Sequence, residues 1–184
     1  MKPGKKGFTL IELMVVVAIV GILSAIAVLN LNAALPGYGL KAAARDLSSM
    51  LRLARSKAIR ERRSVVIEFE LSNNGNYCDG RYIFDADSQY KKIIPDKEHG
   101  YLSRRYDGGV HFGFGAAKKS ATKDGGALPQ SPVTFQGNRV MFNSMGLGTA
   151  GYVYLANSKG EAYAVGMLST GVLKYKQWDG AAWR

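Results

Sequence analysis

A long apolar segment close to the start of the chain constrains the fold more than any other feature. It runs from Phe8 to Leu31, covers 24 residues, and its only polar interruptions are Thr9, Glu12, Ser24 and Asn30. As a helix it would extend roughly 36 Å, enough to cross a hydrocarbon core of about 30 Å. The preceding Lys2, Lys5 and Lys6 should remain in the cytoplasm, which places the chain after Leu31 on the other side of the membrane.

A cleaved secretory signal is the main alternative for this segment, because it also combines a basic start with an apolar core. Such cores usually run about 7–15 residues and end at a small-residue cleavage site. They have no need of an acid, whereas Glu12 stands alone in this segment. An ionised carboxylate inside a membrane costs roughly 2.5–3.5 kcal/mol, so a single one is a candidate for a functional role.

The next part of the chain predicts an interruption followed by an amphipathic helix. Pro36, Gly37 and Gly39, within Asn30–Gly39, should kink or locally melt a helix. Apolar residues then return at helical spacing and share one arc, comprising Leu40, Ala43, Ala44, Leu47, Met50, Leu51, Ala54 and Ala58. The opposite side of this helix is basic and carries Lys41, Arg45, Arg52, Arg55 and Arg63.

After Ser64 the apolar period changes from that of a helix to that of a strand. Val65, Ile67, Phe69 and Leu71 should point one way, and Val66, Glu68 and Glu70 the other. Further strands are predicted at Arg81–Phe84, Gly109–Phe114, Asn138–Phe142, Tyr152–Ala156, Ala162–Leu168 and Val172–Trp178. The polar segment Ala116–Pro132 is expected to be a mobile loop. These patterns predict an α+β fold, with a long N-terminal helix packed on a mainly antiparallel β-sheet head.

The stretch KGFTLIELMVVVAIVGILSAIA, from Lys6 to Ala27, resembles the N-terminus of type IV pilins and pseudopilins. Within that class, AARDLSSMLRLARSKAIRERRSVVI, FNSMGLGTAGYVYLAN and STGVLKYKQWDGAAW resemble the GspH/FimT-type minor subunits. The resemblance implies a structural subunit of a type IV pilus or a type II secretion pseudopilus. Its expected partners are a prepilin peptidase, other pilin or pseudopilin subunits, and the assembly machinery of the inner membrane.

The resemblance also implies a series of processing and assembly steps at the N-terminus. A prepilin peptidase would cut between Gly7 and Phe8, and the new amino terminus of Phe8 would be methylated. Glu12 would then pair with the terminal ammonium of Phe8 in a neighbouring subunit. Within one straight helix these two residues lie about 6 Å apart along the axis, so an intramolecular pair is an alternative. An intermolecular pair would set the register between subunits.

Four regions are therefore expected along the chain. Residues 1–7 form a cleaved leader, and residues 8–31 form a transmembrane and assembly helix. Residues 32–63 contain the kink and the amphipathic lower helix, and residues 64–184 form a β-rich head in the periplasm. The subunit would wait in the inner membrane with its N-terminus in the cytoplasm and then enter a filament.

The surplus of basic residues leaves a second function open. The chain has 25 Lys and Arg against 14 Asp and Glu, a formal charge of +11, which favours anionic partners without naming one. Some FimT-type subunits bind DNA for uptake through a C-terminal Gly-Arg-x-Arg motif, but here Val172 stands at the first arginine position. DNA binding is thus the alternative to a solvated basic face, and its candidate residues are Lys41, Arg45, Arg52, Arg55, Lys174 and Lys176.

The sequence gives little support to a catalytic, metal-binding or redox function. With Cys78 as the only cysteine, no internal disulfide and no standard structural zinc set can form. A calcium role for Asp79, Asp85 and Asp87 lacks ligands at fixed offsets. The aromatic residues near the C-terminus favour packing within the sheet over stacking on bases. We therefore expect a protein that is not an enzyme and needs no cofactor or metal.

Overall fold

The computed structural model describes residues 8–74, 77–85 and 102–184. The chain divides into two compact units, Met1–Leu35 and Pro36–Arg184. Helix α1 runs from Leu10 to Glu61, and the second unit also holds the short helix α2 (Leu102–Arg105). Seven strands complete this unit: β1 (Val65–Asn74), β2 (Tyr77–Asp85), β3 (His111–Phe112), β4 (Arg139–Phe142), β5 (Gly151–Ala156), β6 (Ala162–Met167) and β7 (Leu173–Gln177). The fold is α+β, as the sequence predicts.

Helix α1 continues through Pro36, so the local melting expected at Asn30–Gly39 does not occur. Although proline removes one backbone donor from a helix, the residues on both sides of Pro36 are helical. The two glycines that follow are sites of close packing rather than helix breakers. A Cβ on Gly37 would lie 3.1 Å from the Glu161 carboxylate, and one on Gly39 would overlap the carbonyl oxygen of Asp107.

The end of α1 has the hydrogen bonds of a Schellman motif. The amide of Arg63 donates to the carbonyl of Ala58 (3.3 Å), and that of Arg62 donates to the carbonyl of Ile59 (3.4 Å). Arg62 has a φ of 52°, in the left-handed position that glycine usually takes. These bonds turn the chain directly from the helix into β1.

The strands form one seven-stranded sheet in the order β4-β1-β2-β3-β5-β6-β7, and all neighbours pair antiparallel. The lower part of α1 packs on one face of this sheet through the arc of residues that the sequence predicts. Its buried members are Leu40, Ala43, Ala44, Leu47, Leu51, Ala54 and Ala58, and they share one core with Val65, Ile67, Phe69, Val153, Leu155, Val165 and Met167. The predicted faces of the helix and of β1 are confirmed.

The other face of the sheet carries a smaller core under the segment Ala116–Pro132. Tyr152, Tyr154, Ala121 and Ala164 form this core. The predicted packing of the C-terminal aromatic residues is confirmed, since Trp183 lies edge-on to Tyr154 with ring centroids 5.5 Å apart. The segment has the irregular backbone expected of a loop, but hydrogen bonds connect it to the sheet and to the C-terminal residues. Its Ala121 amide donates to the Tyr154 hydroxyl (2.9 Å), and its Lys119 carbonyl accepts from the Trp183 indole (2.7 Å).

Every predicted strand is present, although some bounds differ. The strand predicted at Gly109–Phe114 is reduced to His111–Phe112. Gly108, Gly109 and Gly115 all have positive φ angles, which end the extended backbone on both sides. Strand β2 is longer than the predicted Arg81–Phe84, because it pairs with β1 from Val66↔Asp85 to Asn74↔Tyr77.

Candidate assembly site and basic surfaces

The first turn of α1 is closed by a capping box between Thr9 and Glu12. The Thr9 hydroxyl accepts the amide hydrogen of Glu12 (3.3 Å). In return, Oε2 of Glu12 accepts from both the amide and the hydroxyl of Thr9, each at 3.1 Å. The reciprocal bonds satisfy amides that have no partner inside the helix. Glu12 therefore has a local structural role in addition to any role between subunits.

This cap is not among the features predicted above, although its sequence signal is present. Ser or Thr followed three residues later by Glu, just before an apolar run, is the pattern of a capping box. Thr9 and Glu12 have that spacing. Both bonds from Thr9 reach the same oxygen, and among the described residues Oε1 of Glu12 has no hydrogen-bond partner. One oxygen is thus available for a second contact.

The side chains around this turn expose an apolar surface. Every residue from Phe8 to Ile26 is exposed, and Phe8 itself is 80% exposed. Gly7, the other residue of the predicted cleavage site, lies outside the described residues. Among the helices in the described part of the chain, none reaches the length and apolarity required to cross a membrane.

The basic candidates lie on two different faces of the second unit. Lys41, Arg45 and Arg52 are exposed on the side of α1 away from its buried arc. On β7, Leu173 and Tyr175 pair with Met167 and Val165, which belong to the helix-facing core. Because side chains alternate along a strand, Lys174 and Lys176 point to the opposite face of the sheet. The structure therefore does not bring the six predicted DNA-binding residues onto one surface.

Two family models match the chain, and together they cover most of it. The prokaryotic N-terminal methylation motif matches residues 2–28. The model of the type II transport protein GspH matches residues 43–171, more than half of the chain. The chain belongs to the GspH family. It is a GspH-like member of the type IV pilin and pseudopilin class, and no curated protein and no solved structure matches it.

One of the basic residues in the region matched by the GspH model has a structural role. Arg55 is half-buried, and its Nε donates to the carbonyl of Gly146 at 3.1 Å. This bond joins α1 to the turn between β4 and β5, where Gly171 also packs against the Gly146 carbonyl. Arg55 is therefore only partly available to an external anion.

Replacing Arg55 by alanine should lower the free energy of unfolding by about 1–2 kcal/mol, because the Gly146 carbonyl loses its charged donor. The exposed Arg52 provides a matched control, and Arg52→Ala should stay within about 0.5 kcal/mol of the wild type. Chemical denaturation of the purified chain in detergent would measure both. Equal effects of the two substitutions would contradict a structural role for Arg55.

Arg45 lies next to a pair of tyrosines at the edge of the helix-facing core. The rings of Tyr163 and Tyr175 have centroids 5.3 Å apart. Burial raises the pKa of Tyr175 to about 12; the charge of ionised Tyr163 acts in the same direction, and Arg45 acts against it. Burial likewise raises the pKa of Tyr163. The folded state thus favours the neutral form of both hydroxyls.

The raised pKa of Tyr175 predicts a loss of stability in alkaline solution. Below its ordinary value near 10, Tyr175 is neutral in both the folded and the unfolded chain. Above that value the unfolded chain releases the proton first, so the free energy of unfolding should fall as the pH rises from about 10 to about 12. Denaturation at several pH values would measure this. The free energy of unfolding should fall less steeply with pH for Tyr175→Phe than for the wild type, whereas Tyr38→Phe, at an exposed position, should follow the wild type.

Two of the three aspartates considered for calcium lie in the described part of the chain. Asp79 and Asp85 lie in β2, and Asp87 lies outside the described residues. Within the described part of the chain, no group of three or more His, Cys, Asp or Glu side chains is placed to hold a metal ion.

Proposed function

We propose that this GspH-family chain is a minor pilin or pseudopilin that is cut between Gly7 and Phe8 and assembled into a filament through its N-terminal helix. The observation that carries the proposal is the order of the two matches: the methylation motif at residues 2–28 precedes the GspH region at residues 43–171 on the same chain. The motif contains Gly7, Phe8 and Glu12, the residues that processing and assembly would require.

We propose that Phe8–Leu31 anchors the subunit in the inner membrane before assembly, with the N-terminus in the cytoplasm and the head in the periplasm. The lysines of the leader and the 24-residue apolar segment support this orientation. A prepilin peptidase, the inner-membrane assembly machinery and other subunits of the class are the corresponding partners.

In this mechanism Glu12 sets the register between neighbouring subunits. Its Oε2 is occupied by Thr9, and its Oε1 is available to the ammonium of Phe8 in another subunit. The capping box holds the carboxylate in a defined position, so less conformational freedom is lost when the pair forms. The exposed apolar surface of Phe8–Ile26 would supply the packing between helices.

Mass spectrometry of the mature chain from cells that contain a prepilin peptidase tests the proposal directly. We expect a chain that begins with N-methylated Phe8. A chain that keeps Met1 would contradict the processing site, and one cut near Ala27 by a signal peptidase would contradict both the processing site and the anchor.

DNA uptake, the alternative function, gains no support from the geometry. A duplex is bound by cations that follow its phosphates along one surface, whereas Lys174 and Lys176 point away from the face that carries Lys41, Arg45 and Arg52. The Nε of Arg55 also donates to the carbonyl of Gly146 and is not available to a phosphate. We therefore do not extend the proposal to DNA.

A further inference from the structure

A cleft opens on the face of the sheet opposite to α1. It has a volume of about 530 Å³, and a segment of the Ala116–Pro132 loop borders it together with β5, β6 and β7. Its lining is mostly apolar and includes Tyr152 and Leu168, the latter 40% exposed. A space of this size accommodates a few side chains of a ligand.

The polar part of the lining is entirely neutral or positive. Lys123, Lys174 and Lys176 line the cleft, whereas no aspartate or glutamate does. The ammonium of Lys176 donates to the carbonyl of Ala121 at 2.8 Å, which holds it at the wall. Lys123 and Lys174 are exposed, and within the described residues neither forms an ion pair. The site therefore favours a ligand that carries negative charge.

The lining favours a polypeptide over a nucleic acid. Bases of a single strand stack on exposed aromatic faces, but Tyr152, the only aromatic residue of the lining, is 9% exposed. A duplex needs a longer track of cations than one cleft offers, and the other basic candidates lie on the opposite face. Apolar walls with cations at the rim instead match a polypeptide segment that presents apolar and acidic side chains on the same side.

We propose that this cleft binds a segment of a partner protein that presents acidic and apolar side chains on the same side. The carboxylates contact Lys123 and Lys174, and the apolar side chains enter the space beside Tyr152 and Leu168. The interaction is additional to the proposed assembly through the N-terminal helix. Strand β7 lies after residues 43–171, which the GspH model matches.

Fluorescence anisotropy with the full chain in detergent tests the proposal, using a labelled peptide that repeats Glu-Glu-Leu-Leu as the probe, because glutamate and leucine then occur on the same side of an extended chain. We expect saturable binding that Lys174→Glu, and separately Lys123→Glu, weakens at least about tenfold, since each places like charges together. Lys41→Glu changes the net charge equally but lies on the exposed side of α1, and it should bind as the wild type does. Circular dichroism would confirm that each variant remains folded.

Three results would overturn the proposal. Equal weakening by Lys41→Glu would show attraction to the net charge alone. Equal binding of the same peptide with glutamine in place of glutamate would show that the lysines are not used. Displacement of the probe by a random-sequence DNA duplex, with tighter binding of the duplex itself, would assign the cleft to nucleic acid. None of these results bears on cleavage at Phe8, so the two proposals fail independently.

Discussion

Replacing Glu12 by glutamine is expected to lower incorporation into filaments at least about tenfold while leaving membrane insertion and leader cleavage intact. Glutamine at the third helical position can still complete a capping box, so the turn held by Thr9 should remain closed. The substitution removes only the charge that the ammonium of Phe8 would meet. Leaving that ammonium buried without a partner costs about 3–5 kcal/mol, more than enough for a tenfold loss.

The complementary substitution Thr9→Ala separates the cap from the charge. It removes the reciprocal bonds with Glu12 and costs about 1 kcal/mol of helix stability, but it leaves the carboxylate in place. Incorporation should fall much less than it does for Glu12→Gln, because the charge that meets the ammonium is retained. Immunoblots of the sheared-filament and membrane fractions would measure both variants, together with Glu12→Ala, which loses cap and charge at once. Normal incorporation of Glu12→Gln would eliminate the register role of the carboxylate.

Replacing Gly39 by alanine should destabilise the second unit, although alanine is the better helix former. In an open helix the change gains about 1 kcal/mol. Here the new methyl group would overlap the carbonyl oxygen of Asp107, in a loop where Gly108 also abuts Pro36. Overpacking of this kind typically costs about 1–3 kcal/mol and occasionally more. We expect a net loss of about 2 kcal/mol, which lowers Tm by roughly 4–8 °C.

Gly21 is the matched control, because it is also a helical glycine of α1, but beyond its own helical turns no atom of the described residues lies within 4 Å of where a Cβ would lie. Gly21→Ala should leave the unfolding of the second unit unchanged. Thermal unfolding of the full chain in detergent, followed by near-ultraviolet circular dichroism, would compare the two. A rise in Tm for Gly39→Ala would contradict this prediction. It would mean that the loop at Asp107 shifts to accommodate the methyl group, so that the higher helix propensity of alanine outweighs the overpacking.

Much of the fold could be predicted because its pattern is local. The buried arc from Leu40 to Ala58 follows from the helical period, and the inward side chains of β1 follow from the period of two. Each pattern requires only that one side of an element be apolar. The order of the strands was not predictable in this way, since β4 pairs with β1 across most of the head sequence.

The residues of the candidate site also differ in whether a local pattern could predict them. The N-terminal pattern alone pointed to Phe8 and Glu12, and Thr9 could have been added from its spacing to Glu12. The sequence could not tell which basic residues are free to bind an external anion and which are bound within the fold. Whether a cation is free or bound to a carbonyl depends on which loop comes to lie beside it, as Gly146 does for Arg55.

An apolar N-terminal helix with one acid, its amphipathic continuation and a β-rich head could all be predicted from neighbouring residues and their periods. Three features became visible in the folded chain alone: Pro36 and Gly39 remain helical, the lysines of β7 face away from the arginines of α1, and a basic cleft opens beside these lysines. Each of these depends on contacts between segments that are distant in the chain, because strand pairing and loop packing place groups together that no local pattern connects.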